Sequence, residues 1–360
     1  MAKGGIGVER FRFLMFRLAT FLLPIYWGQR YSRVDRHPRR AELEAAANLS
    51  RAFGIIKQVF QNGRLPKLNT VVGERTYLER RFQAFTVLEA PHKSSGQLPP
   101  IEVLFTVHPK DFGVASLALE AAIQHTRNPI AKVAVVSPES DAARDELLAS
   151  IPAGIPAEFY ADAEIISPQL HVEVSEKFGR RMGWATQQLV KTAFVSNLAS
   201  LPTLIIDSDT VMLRDKTWLY PNGAVLTYSR HFINDNYLRF LADWGVASFD
   251  KSRSFVTHHA LMKPMILRNA LTEAFGSVDA ANIARSVKHS CDRLGTYEFA
   301  LDYELYGQYA HHHHSAELQF DKYSNVERQR PQSQKQLEEL VKKFRKQARY
   351  NTLSMHNRPG

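Results

Sequence analysis

The chain has 360 residues, 44% of them hydrophobic and 23% charged, with a net charge of +10; this is ordinary globular composition, and the length allows a substantial core. A single cysteine, Cys291, excludes an internal disulfide and a cysteine-built zinc site, fits a reducing compartment, and reads as a small inert hydrophobe. The charge lies at the ends: residues 1–40 and 328–360 each carry nine Lys/Arg against two acidic residues, +7 apiece, which leaves the middle at −4. Basic ends meet anionic partners such as lipid, nucleic acid or an acidic polymer.

In chain order, "FRFLMFRLATFLLPIYWGQR" (Phe11 to Arg30) comes first. Arg12, Arg17 and Pro24 make it a poor membrane span, and no small-residue cleavage site follows. Aromatic residues beside arginines fit a segment lying on an acidic membrane surface. A terminal helix packed on the core fits the same residues equally well. No nucleic-acid motif is visible, so no nucleic-acid partner is expected. Residues 40–62 have helical spacing, with Leu43, Ala46, Leu49, Phe53, Ile56 and Phe60 on one stripe. The Pro/Ser/Gly-rich stretch Ala90 to Pro100 marks a boundary.

Beyond it the pattern alternates. "IEVLFTV" (101–107) predicts a buried strand, 112–126 a helix, 132–138 a strand, and 140–151 a helix capped by Ser140. "AEFYADAEII" (157–166) predicts a third strand and 179–202 a helix with Leu189, Ala193, Phe194 and Leu198 inward. Such alternation indicates an α/β fold with a mostly parallel sheet covered by helices on both faces. The expected organisation is a basic helical extension over 1–95, a catalytic domain over 96–327, and a basic C-terminal helix and tail over 328–360 packed on it.

The helix leads into "LPTLIIDSDTVMLRD" (Leu201 to Asp215), where an apolar strand delivers Asp207 and Asp209 one serine apart. Two residues apart on an extended segment project to one side. Like charges that close repel unless a cation or a shared proton lies between them. Oxygen ligands suit Mg²⁺ or Mn²⁺, which bind few carboxylates together with substrate phosphates. A solvated turn with a capping Asp is the bland alternative. In open parallel sheets ligands sit at the carboxyl ends of strands, so Thr106, His108 and Asp111 after the first strand fall at the same edge. The reading requires both aspartates to face a cleft with room for a ligand.

The order "LFTVHPKD", "GWATQQLVKTAF", "LIIDSDTVML" resembles the GT-A superfamily of glycosyltransferases over roughly residues 100–310. The layout is similar to the glycogenin and lipopolysaccharide galactosyltransferase type and to bacterial sugar transferases associated with surface polysaccharides. The resemblance implies a Rossmann-like sheet and a nucleotide-sugar donor, a UDP-sugar foremost. Asp207 and Asp209 would hold Mn²⁺ or Mg²⁺ on the donor diphosphate. Thr106, His108, Asp111, Gln187, Gln188 and Ser208 would surround the donor, with Lys191 facing its phosphates. It implies a glycan or lipid-linked acceptor contacted by His258, His259 and Tyr306, and a third metal ligand from a C-terminal histidine. His356 is the choice over the tract His311 to His314. Asp302 or Glu304, among aromatics in "YEFALDYELYGQYA" (297–310), suits the base that activates an acceptor hydroxyl. A cap or salt bridge is their plainer role. With the basic N-terminal segment, the expected place is cytoplasmic, at the inner face of a bacterial membrane.

Two other classes fit part of the pattern. "LIIDSDTV" also matches the D-x-D-x-V/T of haloacid-dehalogenase-type phosphatases, with Asp207 as nucleophile and Mg²⁺ beside it. That motif normally opens its domain, whereas βα units precede it here, and no paired acidic motif follows. A non-catalytic nucleotide- or sugar-binding module is the third class.

Overall fold

The computed structural model describes residues 96–108, 111–138, 141–229, 233–246 and 249–356. The expectations for residues 1–95, including the segment 11–30 and the helix over 40–62, and for the Ser140 cap lie outside the described residues.

Strands β1 (Ile101–Thr106), β2 (Ile130–Ser137), β3 (Ala157–Ala161), β4 (Thr203–Asp207) and β8 (His259–Met262) form one sheet in the order β3-β2-β1-β4-β8. All neighbours pair in parallel except β4 with β8. The fold is therefore mixed α/β with a mostly parallel central sheet. Continuous apolar strands are what a sheet buried on both faces needs, and alternation sorts their side chains. Leu104, Val136 and Ile205 enter one core layer, and Val103, Phe105, Val135, Leu204 and Ile206 enter the other.

Helices α1 (Phe112–His125) and α2 (Asp141–Ala149) connect the first three strands and supply the second layer. The first layer is covered by α4 (Pro168–Phe178), α5 (Met182–Asn197), α6 (Asp235–Asp243), α7 (Pro264–Phe275), α8 (Ala280–Leu294) and α9 (Tyr303–His313). Helix α7 has Pro264 in its first turn and ends at Gly276, whose φ of 65° suits a left-handed cap.

Two small sheets complete the unit. One has the order β10 (Asn325–Gln329), β11 (Thr352–His356), β5 (Thr210–Met212); the other has β6 (Leu219–Tyr220), β7 (Gly223–Tyr228), β9 (Leu318–Lys322). Helix α10 (Gln334–Arg345) buries Leu337, Val341 and Phe344 in the second layer. Within residues 328–356, α10 and β11 thus pack on the core, with β11 paired to β5.

Several predicted bounds shift. The third strand stops at Ala161, because residues 162–165 form a short helix, α3 (Asp162–Ile165), with Glu164 Oε2 accepting from Ala161 N at 2.6 Å. Leu198, expected inward, is 46% exposed, because it follows the last turn of α5 as its C-cap.

Candidate active site

Strands β1 and β4 run in parallel with Thr106 opposite Asp207, so their carboxyl ends reach one edge together. There the chain changes sheets: Asp207 ends β4, Ser208 and Asp209 turn the corner, and Thr210 opens β5. A cleft of about 1650 Å³ opens at this edge. Thr106, His108, Asp111, Gln187, Gln188, Lys191 and Ser208 all line it. So do Asp207, Asp209, His258, Asp302 and His356.

Helix α5 turns its polar face to the strand ends. Gln187 Nε2 donates to Thr106 Oγ1 at 3.0 Å, and Gln188 Oε1 accepts from Leu301 N at 2.6 Å. Lys191 is 2% exposed. Its Nζ lies 2.6 Å from Asp207 Oδ1, 3.3 Å from Asp302 Oδ2, and 4.8 Å from the centre of the Tyr303 ring. A buried ammonium needs this pairing. Burial works against its charge, but Asp207 and Asp302 outweigh burial and raise its pKa above 10.5. Burial also opposes the charge of Asp207, yet Lys191 and His258 hold its carboxyl far below the usual carboxylate range. Asp302 goes the other way: burial raises it, and Lys191 only partly offsets that. Two carboxylates around one lysine are thereby set apart in acidity.

The aspartates of the D-x-D each meet a histidine. Asp207 Oδ2 lies 2.9 Å from His258 Nδ1, and Asp209 Oδ2 lies 3.0 Å from His356 Nδ1. Asp207 Oδ1 also accepts from Tyr303 Oη at 2.9 Å. Both oxygens of Asp207 thus take protein hydrogen bonds, one of them from a lysine. Beside them, ligand atoms of His258, Glu327 and His356 all lie within 4.8 Å of one another. Two imidazoles and a carboxylate at that spacing suit a divalent cation.

Local backbone explains the placement. His258 has a φ of 54°, the sole positive φ outside glycine among the described residues. Histidine is among the residue types that tolerate this region, and such positions concentrate at functional sites. Its carbonyl accepts from Asp207 N at 2.9 Å, which ties the bend to the end of β4. On β11, Leu353 and Met355 are fully buried while Ser354 and His356 take the opposite face. Strand β10 runs parallel with Glu327 opposite Ser354, which makes Glu327 and His356 diagonal neighbours on that face.

Other predicted residues stand apart from the cleft. Glu304 is 1% exposed and accepts from Ser254 Oγ (2.7 Å), Phe255 N (2.9 Å) and Gln308 Nε2 (2.8 Å). It organises the loop before β8 rather than facing the cleft. Tyr306 is buried and receives Lys263 N at 3.0 Å. His259 is buried against Trp218 and Tyr323, and burial, reinforced by Lys216, keeps it neutral. In the tract 311–314, His311, His313 and His314 face Asp250, Glu273 and Glu317 respectively. Sequence reasoning passed over Tyr303 and Glu327. Tyr303 sat in view beside Asp302, but Glu327 lies in a polar stretch whose pairing only the fold reveals. Asp111 is held by an ion pair with Arg330 and by Ser208 Oγ at 3.4 Å.

No family model and no curated protein matches the chain. Among solved structures, mouse xyloside xylosyltransferase 1 in its apo form aligns at 11% identity and a TM-score of 0.42, covering 72% of this chain and 99% of that one. The PaToxG glycosyltransferase aligns at 9% identity and a TM-score of 0.33, covering 67% and 80%. At these values neither likeness fixes a family.

Proposed function

We propose that the chain is a glycosyltransferase, moving a sugar from a nucleotide-sugar donor, a UDP-sugar foremost, to a glycan or lipid-linked acceptor. One observation carries the reading: at the carboxyl edge of a mostly parallel sheet, a large cleft gathers a D-x-D, a buried lysine and a second buried carboxylate of different acidity. Ligand sites favour that edge, and the cleft exceeds the few hundred to about 1,000 Å³ of an ordinary small-molecule site.

In this reading Thr106, His108 and Asp111 hold the nucleotide, with Gln187 fixing Thr106. A divalent cation at the end of β4, beside Asp207, Asp209 and His356, would neutralise the donor diphosphate. Lys191 keeps Asp207 ionised and holds both Asp207 and Asp302 in place. Asp302, which lines the cleft and whose acidity burial lowers, is the carboxylate suited to take the proton of an acceptor hydroxyl. Bacterial surface-polysaccharide synthesis on the cytoplasmic side of a membrane fits the basic segment 1–40. Among the described residues no helix is long and apolar enough to cross a membrane.

The test pairs binding with turnover. UDP with Mn²⁺ should raise the thermal transition, and a panel of UDP-sugars should show donor consumption. Asp302→Asn should lower transfer by ~10²–10⁴-fold while leaving UDP binding intact. Hydrolysis of an aryl phosphate that depends on Asp207, or no response to any nucleoside diphosphate, refutes the reading.

A further inference from the structure

We infer that the cation site of this chain is a two-histidine, one-carboxylate site made by His258, Glu327 and His356, with the two aspartates of the D-x-D as the outer carboxylates that orient the imidazoles. The inference names the donors of the cation that the sugar-transfer reading calls for, and rests on that reading only for the cation's purpose.

Three observations converge. Ligand atoms of the three side chains lie within 4.8 Å of one another. Donors on one tetrahedral ion at ~2.1 Å stand ~3.4 Å apart, so they need to draw in by at most ~1.4 Å. Each imidazole presents Nδ1 to an aspartate, His258 to Asp207 at 2.9 Å and His356 to Asp209 at 3.0 Å. A neutral imidazole that donates from Nδ1 to a carboxylate carries its lone pair on Nε2, the tautomer a metal requires, and this carboxylate–histidine pairing recurs around metal sites. Finally, Asp207 is already engaged. Its oxygens accept from Lys191, Tyr303 and His258, so drawing it onto an ion would strip a buried ammonium of its nearest partner.

The positive φ of His258 belongs to the same arrangement, because it sits at the turn from which this residue meets Asp207 while His259 enters the core. The donor set also predicts preference. Imidazole nitrogen favours Mn²⁺, Co²⁺ and Zn²⁺ in rising order of affinity, whereas Mg²⁺ and Ca²⁺ favour all-oxygen sites.

Co²⁺ titration of the full chain without nucleotide tests this, read by visible absorption and by equilibrium dialysis. One Co²⁺ per chain should bind with nitrogen-ligand d–d bands. Zn²⁺ should displace it at equal concentration, and about a thousandfold excess of Mg²⁺ should not. Asp209→Asn should weaken Co²⁺ by ~10–100-fold, as for an outer carboxylate. Glu327→Gln and His356→Gln should weaken it more than that. The proposal is overturned if Glu327→Gln binds Co²⁺ like the parent, if Asp209→Asn costs more than Glu327→Gln, or if Mg²⁺ displaces Co²⁺. It is likewise overturned if no Co²⁺ binds the parent chain. Each variant's thermal transition, measured in EDTA, confirms folding, and the parent chain's metal preference provides the second measurement. Because no sugar donor is present, failure of sugar transfer leaves these results unaffected.

Discussion

Replacing Lys191 by methionine would leave Asp207 and Asp302 facing each other without the ammonium that sits 2.6 Å from one and 3.3 Å from the other. Lys191 is 2% exposed, and methionine would fill its volume without supplying a counter-ion. Removing one partner of a buried ion pair costs ~3–5 kcal/mol. At ~2–4 °C per kcal/mol for a unit of this size, the midpoint should fall by ~6–20 °C. The sign of the pH dependence is a second reading of the same energy. In the parent, Asp207 titrates below its ordinary 3.8, so its stabilising contribution is fully present above that value and is lost as the pH falls through the lowered one. Without Lys191, Asp302 loses the cation that partly offsets its burial and rises further, while Asp207 loses its nearest cation and keeps only His258 to hold it down. A carboxylate raised in the folded state gains stability as the pH falls toward it. The gap between variant and parent should therefore narrow between pH 7.5 and pH 5. Urea unfolding followed by circular dichroism, in EDTA at both pH values, measures it. Adding Asp302→Asn to the variant should recover part of the loss. A deficit under about 1 kcal/mol, the worth of a surface pair, or a gap that widens on acidification, would refute the argument.

Two further outcomes follow from packing and charge. In α9, a Cβ on Gly307 would stand 2.2 Å from Phe255 Cβ and Cγ; Gly307→Ala should therefore lose ~1–3 kcal/mol or more. A gain of ~1 kcal/mol in the thermal transition, as helix propensity alone gives, would show that Phe255 is not so close. Deleting residues 1–30 removes Lys3, Arg10, Arg12, Arg17 and Arg30, each worth ~1 kcal/mol against an anionic surface. Cosedimentation with phosphatidylserine vesicles should drop to that of neutral vesicles; undiminished binding would reject the membrane role.

The strands that hold the site were legible because burial on both faces leaves an unmistakable apolar run: 101–107, 132–138 and the stretch leading to Asp207 each read directly. The D-x-D was legible for the same reason, as two charges at the end of such a run. Its partners were less so. Lys191 is placed by the resemblance, on the helix before the D-x-D strand, but its clasp on Asp302 depends on α9 arriving 111 positions later. "NVERQ" (325–329) has neither alternation nor an apolar stretch, so neither β10 nor Glu327 announced itself. Asp302 and Glu304 look alike in sequence, two apart in one polar–aromatic segment. Only the start of α9 separates them, with Asp302 capping it beside the cleft and Glu304 turned to Ser254 and Phe255. The left-handed backbone of His258 had no signal at all, since histidine is not a residue that demands it.

The D-x-D corner is closed by β11, whose Met355 N donates to Asp209 O at 2.9 Å and whose His356 meets Asp209 across 147 positions. A ribosome moving at ~5–20 residues per second would finish the corner roughly 7–30 s after making it. Through that interval the acidic tip travels with no imidazole from β11, so each molecule matures from its tail inward. Any polypeptide released early keeps the motif in its letters yet lacks the strand that completes it.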